Sequence, residues 1–330
     1  MPNPRVFVSR NMPADTLDLI GQSADMEVWP GEGPPTPEQL KEKLANVEGV
    51  LVNIMDRIDG PLLDGAPHLK VVSQVAVGLD NVDVAECSKR NILVGNTPGV
   101  LSKATADHGF AIMLAAARRV VETDKWVRGN NWTLAYHPLY WLGTDVNEAT
   151  LGIVGLGQIG TEMARRAMGF DMKVIYYSRN RRPDLEAEYG FTYADLDTLL
   201  ASSDFVSLHV PLTPETRHII GEPELRKMKS TAILINLSRG PVVDTDALCL
   251  ALQERWIRGA ALDVVDPEPI PQNHPLLTLD NLTITPHIGS ASIISRQRMS
   301  LMAARNLLAG VRGERLESCA NPEVYAARGI

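Results

Sequence analysis

Three ionisable residues in the second half of the chain, Arg239, Glu268 and His287, follow apolar runs of strand type, and their chemistry suits proton transfer and carboxylate binding. His287 lies in Thr285-Pro286-His287-Ile288-Gly289-Ser290, and an imidazole can donate and recover a proton near neutral pH. Glu268 lies between two prolines in Asp266-Pro267-Glu268-Pro269, after the run Ala261-Leu262-Asp263-Val264. A carboxylate partner orients an imidazole and stabilises its charged form, so Glu268 and His287 suit an acid–base pair. Arg239, in Leu237-Ser238-Arg239-Gly240 after Ala232–Asn236, is a planar, permanently charged fork able to grip a carboxylate and polarise a neighbouring keto oxygen. Taken singly, an arginine is more often a surface ion pair and a histidine a structural residue. The three together, each at a strand's carboxyl end, point to a site.

A second constellation stands upstream, Gly155-Leu156-Gly157-Gln158-Ile159-Gly160, between the apolar run 150–154 and a helix-forming stretch from Thr161 to Ala167. Strand, glycine turn and helix start form a dinucleotide-binding unit: Gly155 permits the turn, Gly157 the approach of a pyrophosphate, and Gly160 close helix packing. The helix start favours the anion. The next strand, Lys173–Tyr177, ends in Ser178-Arg179 and lacks the acidic residue that binds a ribose 2′-hydroxyl. Arg179, Arg181 and Arg182 follow instead. Guanidinium groups suit a 2′-phosphate, so the expected cofactor is NADP(H), with NAD(H) usable at lower efficiency. The other reading of such a cluster is a solvated basic turn.

These residues require an α/β scaffold. Strand-like runs at Arg5–Val8, Val50–Ile54, Lys70–Val75 and Ile92–Val94 alternate with helix-compatible stretches such as Pro37–Ala45 and Val84–Lys89. One helix is expected from about Ser102 to Arg128, joining this series to a second with strands at 151–154, 173–177, 205–209, 232–236, 260–263 and 282–285. Six strands from the glycine motif onward make a full doubly wound domain. A last helix, about Ala291–Ala309, is free to return to the first series. The expected division is therefore residues 1–103 with 293–330, and residues 104–292. Between the series, 129–148 is an aromatic-rich loop with Trp132, Tyr136, Tyr140 and Trp141; loops of this length are usually functional or interfacial, or else wrap on their own chain.

Composition narrows the class. The 330 residues carry a net charge of -8, which argues against a nucleic-acid surface. Cys87, Cys249 and Cys319 are too few and too scattered for a disulfide framework or metal spacing. No signal segment or apolar run of membrane-spanning length is seen, so the expectation is a cytoplasmic protein with no metal and no membrane association.

The motifs Asn236-Leu237-Ser238-Arg239-Gly240, Leu262-Asp263-Val264 with Glu268-Pro269, and Pro286-His287-Ile288-Gly289-Ser290 resemble the signatures of the D-isomer-specific 2-hydroxyacid dehydrogenases. Val77-Gly78-Leu79-Asp80-Asn81-Val82-Asp83 and Asn96-Thr97-Pro98-Gly99 extend the resemblance to the first series. Trp141-Leu142-Gly143, Ser178-Arg179 and Asn273-His274-Pro275-Leu276-Leu277 are most similar to glyoxylate/hydroxypyruvate reductases, including those that also reduce 2-ketogluconate.

The resemblance implies two Rossmann-like parallel-sheet domains, a flavodoxin-like substrate domain and a full dinucleotide-binding domain. It implies that His287 protonates the carbonyl oxygen, that Glu268 supports it, and that Arg239 binds the carboxylate and carbonyl of a short 2-oxo acid such as glyoxylate or hydroxypyruvate. Backbone amides near Val77 and Gly78 would hold the carboxylate's other edge, with Met55 and Trp141 shaping the pocket. Asp263 would contact the nicotinamide carboxamide. Pro211, Thr216, Leu237, Ser238, Gly289 and His287 would line the rest of the cofactor site, with Gln158, Ile159, Ser178, Arg179 and Arg182 at its phosphates and ribose. A homodimer is expected, with Trp141 reaching the partner's pocket. Asp107-His108 departs from the glutamate common at that helix position, and Asp107 is assigned no role. The six histidines other than His287, including His108, are read as structural or solvated. The alternatives are a 2-ketogluconate reductase or another D-2-hydroxyacid dehydrogenase and, from a different class, a corepressor-like protein that senses NAD(P).

Overall fold

The computed structural model describes residues 3–330. They form two compact units, one running through Leu101 and resuming at Ser292–Ile330, the other Ser102–Ala291. No helix among the described residues is long and apolar enough to cross a membrane.

The first unit contains β1 (Arg5–Val8), α1 (Ala14–Gly21), β2 (Asp25–Val28), α2 (Pro37–Leu44), β3 (Gly49–Val52), α3 (Gly60–Leu63), β4 (Val71–Gln74), α4 (Val84–Lys89) and β5 (Leu93–Gly95). All pairings are parallel and the order is β2-β1-β3-β4-β5, the flavodoxin-like arrangement. β1, β3 and β4 consist of residues such as Phe7, Val50, Leu51 and Val72 that are wholly buried, as a sheet covered on both faces requires. The sequence pattern did not reveal β2. At the sheet edge Asp25 and Glu27 are exposed and Met26 and Val28 only partly buried, so no apolar run announces them.

The second unit contains α5 (Ser102–Ala117), α6 (Val120–Arg128), β6 (Thr150–Val154), α7 (Gln158–Ala167), β7 (Lys173–Tyr177), α8 (Pro183–Tyr189), β8 (Thr192–Tyr193), α9 (Leu196–Ser202), β9 (Phe205–Leu208), α10 (Glu222–Lys227), β10 (Ile233–Asn236), α11 (Thr245–Gln253), β11 (Gly259–Leu262) and β12 (Leu282–Ile284). Its seven strands are ordered β12-β11-β10-β9-β6-β7-β8, a doubly wound parallel sheet whose order reverses at β6. The expected six strands are present, and β8 adds a two-residue edge strand.

The single helix expected over Ser102–Arg128 is instead two. The N–H of Thr144 donates to the Ala117 carbonyl at 2.8 Å, taking the acceptor a continuing helix would use. Gly143 packs so close that a Cβ there would stand 2.5 Å from that same oxygen. Arg119 then adopts a left-handed φ of 57° and holds Glu122 through two hydrogen bonds. α5 is largely buried, whereas no residue of α6 is.

Two further helices, α12 (Ile293–Arg312) and α13 (Glu323–Arg328), complete the first unit. α12 packs on β3 and β4 through Gly49 and Gly310: a Cβ on Gly310 would lie 2.5 Å from Val71, and one on Gly49 2.7 Å from Leu307.

Candidate active site

In the second unit the strand carboxyl ends carry the residues of interest. β6 ends at Val154 and the chain turns at Gly155, whose φ is +99° and whose N–H donates to Tyr177 O at 2.8 Å. A side chain at Gly155 would meet the backbone of His209 at 2.9 Å, and one at Gly160 would stand 2.1 Å from Gly155 O. A Cβ at Gly157 would meet nothing within 4 Å. No side chain caps the start of α7. Gly155 and Gly160 thus close the turn sterically, while the helix start beside Gly157, Gln158 and Ile159 lies open to an anion. Nearby, the His209 ring accepts or donates through Nε2 to Ser207 Oγ at 2.8 Å, and its Nδ1 has no partner among the described residues. Burial pushes the His209 pKa down to about 3, so the ring is neutral and keeps one polar atom unused. An open glycine cradle and an orphaned polar atom fit a bound dinucleotide.

Beyond β7, Ser178 is half-buried and Arg179 is exposed. Arg179 forms no hydrogen bond or ion pair among the described residues. The other two arginines of the cluster are engaged within the turn: Arg181 is bidentate to Glu186, and Arg182 to Asp184. Tyr176 Oη also donates to Glu186 and accepts from the Arg182 N–H. Pro211 is exposed, and its carbonyl accepts from Thr216 Oγ1 at 2.6 Å, folding the 211–216 loop after β9.

After β10, buried Asn236 organises the next turn. Its Oδ1 accepts from the Ser238 N–H and hydroxyl, and its Nδ2 donates to Arg239 O at 3.0 Å. Arg239 Nη1 donates to Ser238 O. Leu237 is buried, and a Cβ on Gly109 of α5 would strike its Cδ1 at 2.4 Å. Gly240 lets the β11 loop approach, since a Cβ would fall 1.9 Å from Val265 O.

His287 and Glu268 meet directly: Nδ1 and Oε1 are 2.6 Å apart. An ionised carboxylate only accepts, so Nδ1–H donates and Nε2 is left for chemistry. His287 has a left-handed φ of 54°, with its N–H shared between Asp263 O and Thr285 O. Asp263 is 3% exposed. Its Oδ1 accepts from the Thr285 hydroxyl and the Ile288 N–H, and its Oδ2 from the Gly289 N–H. His108 on α5 lies 3.2 Å from Oδ1 and 3.0 Å from Thr285 Oγ1. Burial alone would raise the Asp263 pKa, yet His108, Thr285 and the two amides together hold it below the usual carboxylate value. His108, Asn236 and Thr285 were not singled out from the sequence. For Asn236 and Thr285 the cue was a polar residue at a strand end, too common to be decisive, and His108 sits within α5 with no local cue.

In the first unit, Val77 O accepts from Asn96 Nδ2 and Gly78 O from Gln74 Nε2. Their N–H groups have no acceptor among the described residues. Met55 is 47% exposed and donates its N–H to Asn53 Oδ1. Trp141 leans on its own chain, edge-on to Trp126 at 5.5 Å with the Arg119 guanidinium 4.7 Å from its ring centre.

A cavity of about 420 Å³ lined by Arg119, Arg255, Arg258 and Asp280 opens at the amino ends of β10 and β11. The chemistry-bearing residues stand at the opposite, carboxyl end, where parallel sheets bind ligands.

A doubly wound sheet with an open glycine turn and a hydrogen-bonded histidine–glutamate pair at its carboxyl edge fits a dinucleotide-dependent oxidoreductase. The family model "D-isomer specific 2-hydroxyacid dehydrogenase, NAD binding domain" matches residues 110–289. A glyoxylate reductase of Korarchaeum cryptofilum is 51% identical over 325 residues, covering 98% of each chain. A solved protein from Thermus thermophilus superimposes with a TM-score of 0.90 at 43% identity, covering 96% of this chain and 99% of that one. An NADPH-dependent glyoxylate/hydroxypyruvate reductase of Sinorhizobium meliloti, solved with NADP and malonate, has a TM-score of 0.85 at 30% identity, covering 96% and 97%. The chain belongs to the D-isomer specific 2-hydroxyacid dehydrogenase family, and its cofactor is a nicotinamide dinucleotide.

Proposed function

We propose that this enzyme reduces short 2-oxo acids, glyoxylate to glycolate and hydroxypyruvate to D-glycerate, with NADPH preferred over NADH. The observation that carries the reading is the 2.6 Å contact of His287 with Glu268 at the carboxyl edge of a dinucleotide-binding sheet, in a chain 51% identical to a protein named glyoxylate reductase.

The bound dinucleotide supplies the hydride. Gly155, Gly157, Gln158, Ile159 and Gly160 would hold its pyrophosphate, and Ser178 and Arg179 its ribose phosphate. Arg182 contributes after yielding Asp184, which makes it the weaker ligand. Pro211, Thr216, Leu237, Ser238, Asp263 and Gly289 frame the remaining cofactor surface. Because Asp263 already accepts three donors of its own chain, it acts there chiefly by shaping the loop.

Arg239 grips the substrate carboxylate and polarises the keto oxygen. His287 donates the Nε2 proton to the developing alkoxide, while Glu268, accepting from Nδ1, stabilises the charged ring and fixes its orientation. Met55 limits the size of the acceptor.

The enzyme also assembles as a homodimer on this reading. Trp132, Tyr136, Leu139, Tyr140 and Leu142 stand exposed in one loop, an apolar surface of the kind a partner subunit covers. Trp141 belongs to the same segment and would reach the partner's pocket. Sedimentation as a fully active monomer would remove this element.

The test is oxidation of NADPH and NADH with glyoxylate, hydroxypyruvate, pyruvate and 2-ketogluconate. Turnover of the first two with NADPH favoured supports the reading; turnover of 2-ketogluconate alone moves it to the larger substrate, and no turnover at all contradicts it.

A further inference from the structure

The left-handed backbone of His287 is a conformation that costs a non-glycine residue about 1–3 kcal/mol and persists only where its surroundings impose it. The imposing group is Asp263, whose carbonyl takes the His287 N–H and whose carboxylate takes the Ile288 and Gly289 N–H groups at 2.8 and 2.7 Å. Gly289 lets the carboxylate approach closely, since a Cβ would sit 3.0 Å from Asp263 Oδ2 and press on it.

The Asp263 backbone is fixed at the end of β11 by its N–H bond to Asn236 O at 2.9 Å, but Thr285, Ile288 and Gly289 all lie on the segment being held, so they cannot fix its carboxylate relative to the rest of the unit. His108 can. Thr285 gives its hydroxyl proton to the acceptor-only carboxylate, so the 3.0 Å contact between His108 Nε2 and Thr285 Oγ1 has Nε2–H as donor. Nε2 is also 3.2 Å from Asp263 Oδ1. Helix α5, which carries His108, is anchored by the buried side chains of Phe110 and Met113 and by the Asp107–Arg166 ion pair at 2.6 Å.

We propose that His108 is a positioning residue for the reaction, its Nε2–H acting through Thr285 and Asp263 to set the place of His287. The inference rests on the reading of His287 as proton donor. Losing the ring leaves the carboxylate held only by the segment it should hold, and a shift of the imidazole of the order of an ångström costs about a hundredfold in rate.

The variants are His108→Leu, which removes the donor, and His108→Gln, which offers an amide N–H at similar reach. Thr285→Val breaks the relay while leaving the histidine. In His108→Leu and Thr285→Val, kcat with glyoxylate is expected to fall about tenfold or more, with glyoxylate KM and NADPH Kd within about threefold of wild type. His108→Gln is expected to recover most of kcat. Without cofactor, hydrogen exchange at the Ile288 and Gly289 amides is expected to quicken in the first two variants and not in the glutamine variant. Unchanged exchange and kcat in His108→Leu, or a glutamine variant as slow as the leucine one at equal Tm, overturns the proposal. Should His108→Leu fail to fold, Thr285→Val with wild-type exchange and kcat overturns it. A His287→Ala control separates the two claims: if it keeps wild-type turnover the proton-donor reading fails, while the exchange measurement still decides the anchor.

Discussion

His287 Nδ1 donates to Glu268 Oε1 across 2.6 Å, joining the loop after β12 to the proline-flanked loop after β11. Each residue lies outside regular structure, so the pair depends on loops set by adjacent parallel strands. Glu268→Gln keeps an acceptor of the same shape and removes the charge. Its kcat should fall about tenfold or more while glyoxylate KM stays near wild type, because the charge acts on the ring in the transition state. Steady-state kinetics decide it, and a raised KM at unchanged kcat would place Glu268 on the substrate.

The glycine motif separates steric from ligand roles. Gly160→Ala forces a Cβ to 2.1 Å from Gly155 O, and overpacking of this kind costs about 1–3 kcal/mol. The Tm of the cofactor-free protein should drop. Gly157→Ala adds a Cβ that meets nothing within 4 Å among the described residues but intrudes on the proposed phosphate space, so Tm should hold while NADPH Kd rises. Equal losses of Tm in both variants would contradict the division.

Among the described residues Arg179 is the guanidinium of its cluster without an ion pair, whereas Glu186 and Asp184 hold Arg181 and Arg182. Charged hydrogen bonds are worth about 1.5–3 kcal/mol. Arg179→Asp should therefore lower the NADPH-to-NADH ratio of kcat/KM by about tenfold or more, and Arg181→Ala should change it less. Kinetics with both cofactors test this, and an unmoved ratio in Arg179→Asp rules out the arginine reading.

Asp263 supplies a pH dependence of known sign. Its folded pKa is depressed: burial pushes upward, and His108, Thr285 and two amides outweigh it. A depressed carboxylate contributes stability above its unfolded value, near about 4, and that contribution disappears as pH falls through the lower folded value. The Tm gap between wild type and Asp263→Asn should be constant around neutrality and close only in acid. A gap that widened with falling pH would contradict the assignment.

Strand ends, the glycine turn and the placing of Arg239, Glu268 and His287 just beyond strand ends were legible in sequence because each is local: an apolar run followed by an ionisable residue or a glycine. β2 and β8 were not, since edge strands with exposed polar residues such as Glu27 and Thr192 carry no apolar signal. The break at Arg119 escaped because its cause, Thr144 taking the Ala117 carbonyl, is a tertiary contact. The sequence offered Arg179 and Arg182 as cofactor ligands within a three-arginine cluster, and the ion pairs of Arg181 with Glu186 and of Arg182 with Asp184, both acids on α8, were not legible in it. The contacts of His108 were hidden for a similar reason: its partners Asp263 and Thr285 lie just beyond β11 and β12, far along the chain.

The most direct measurement is NADPH oxidation with glyoxylate by wild type and His287→Ala, alongside NADPH binding to both by fluorescence. The account predicts wild-type turnover, a loss of about a hundredfold or more in the variant, and matching NADPH affinities. Turnover in His287→Ala within about tenfold of wild type would contradict it.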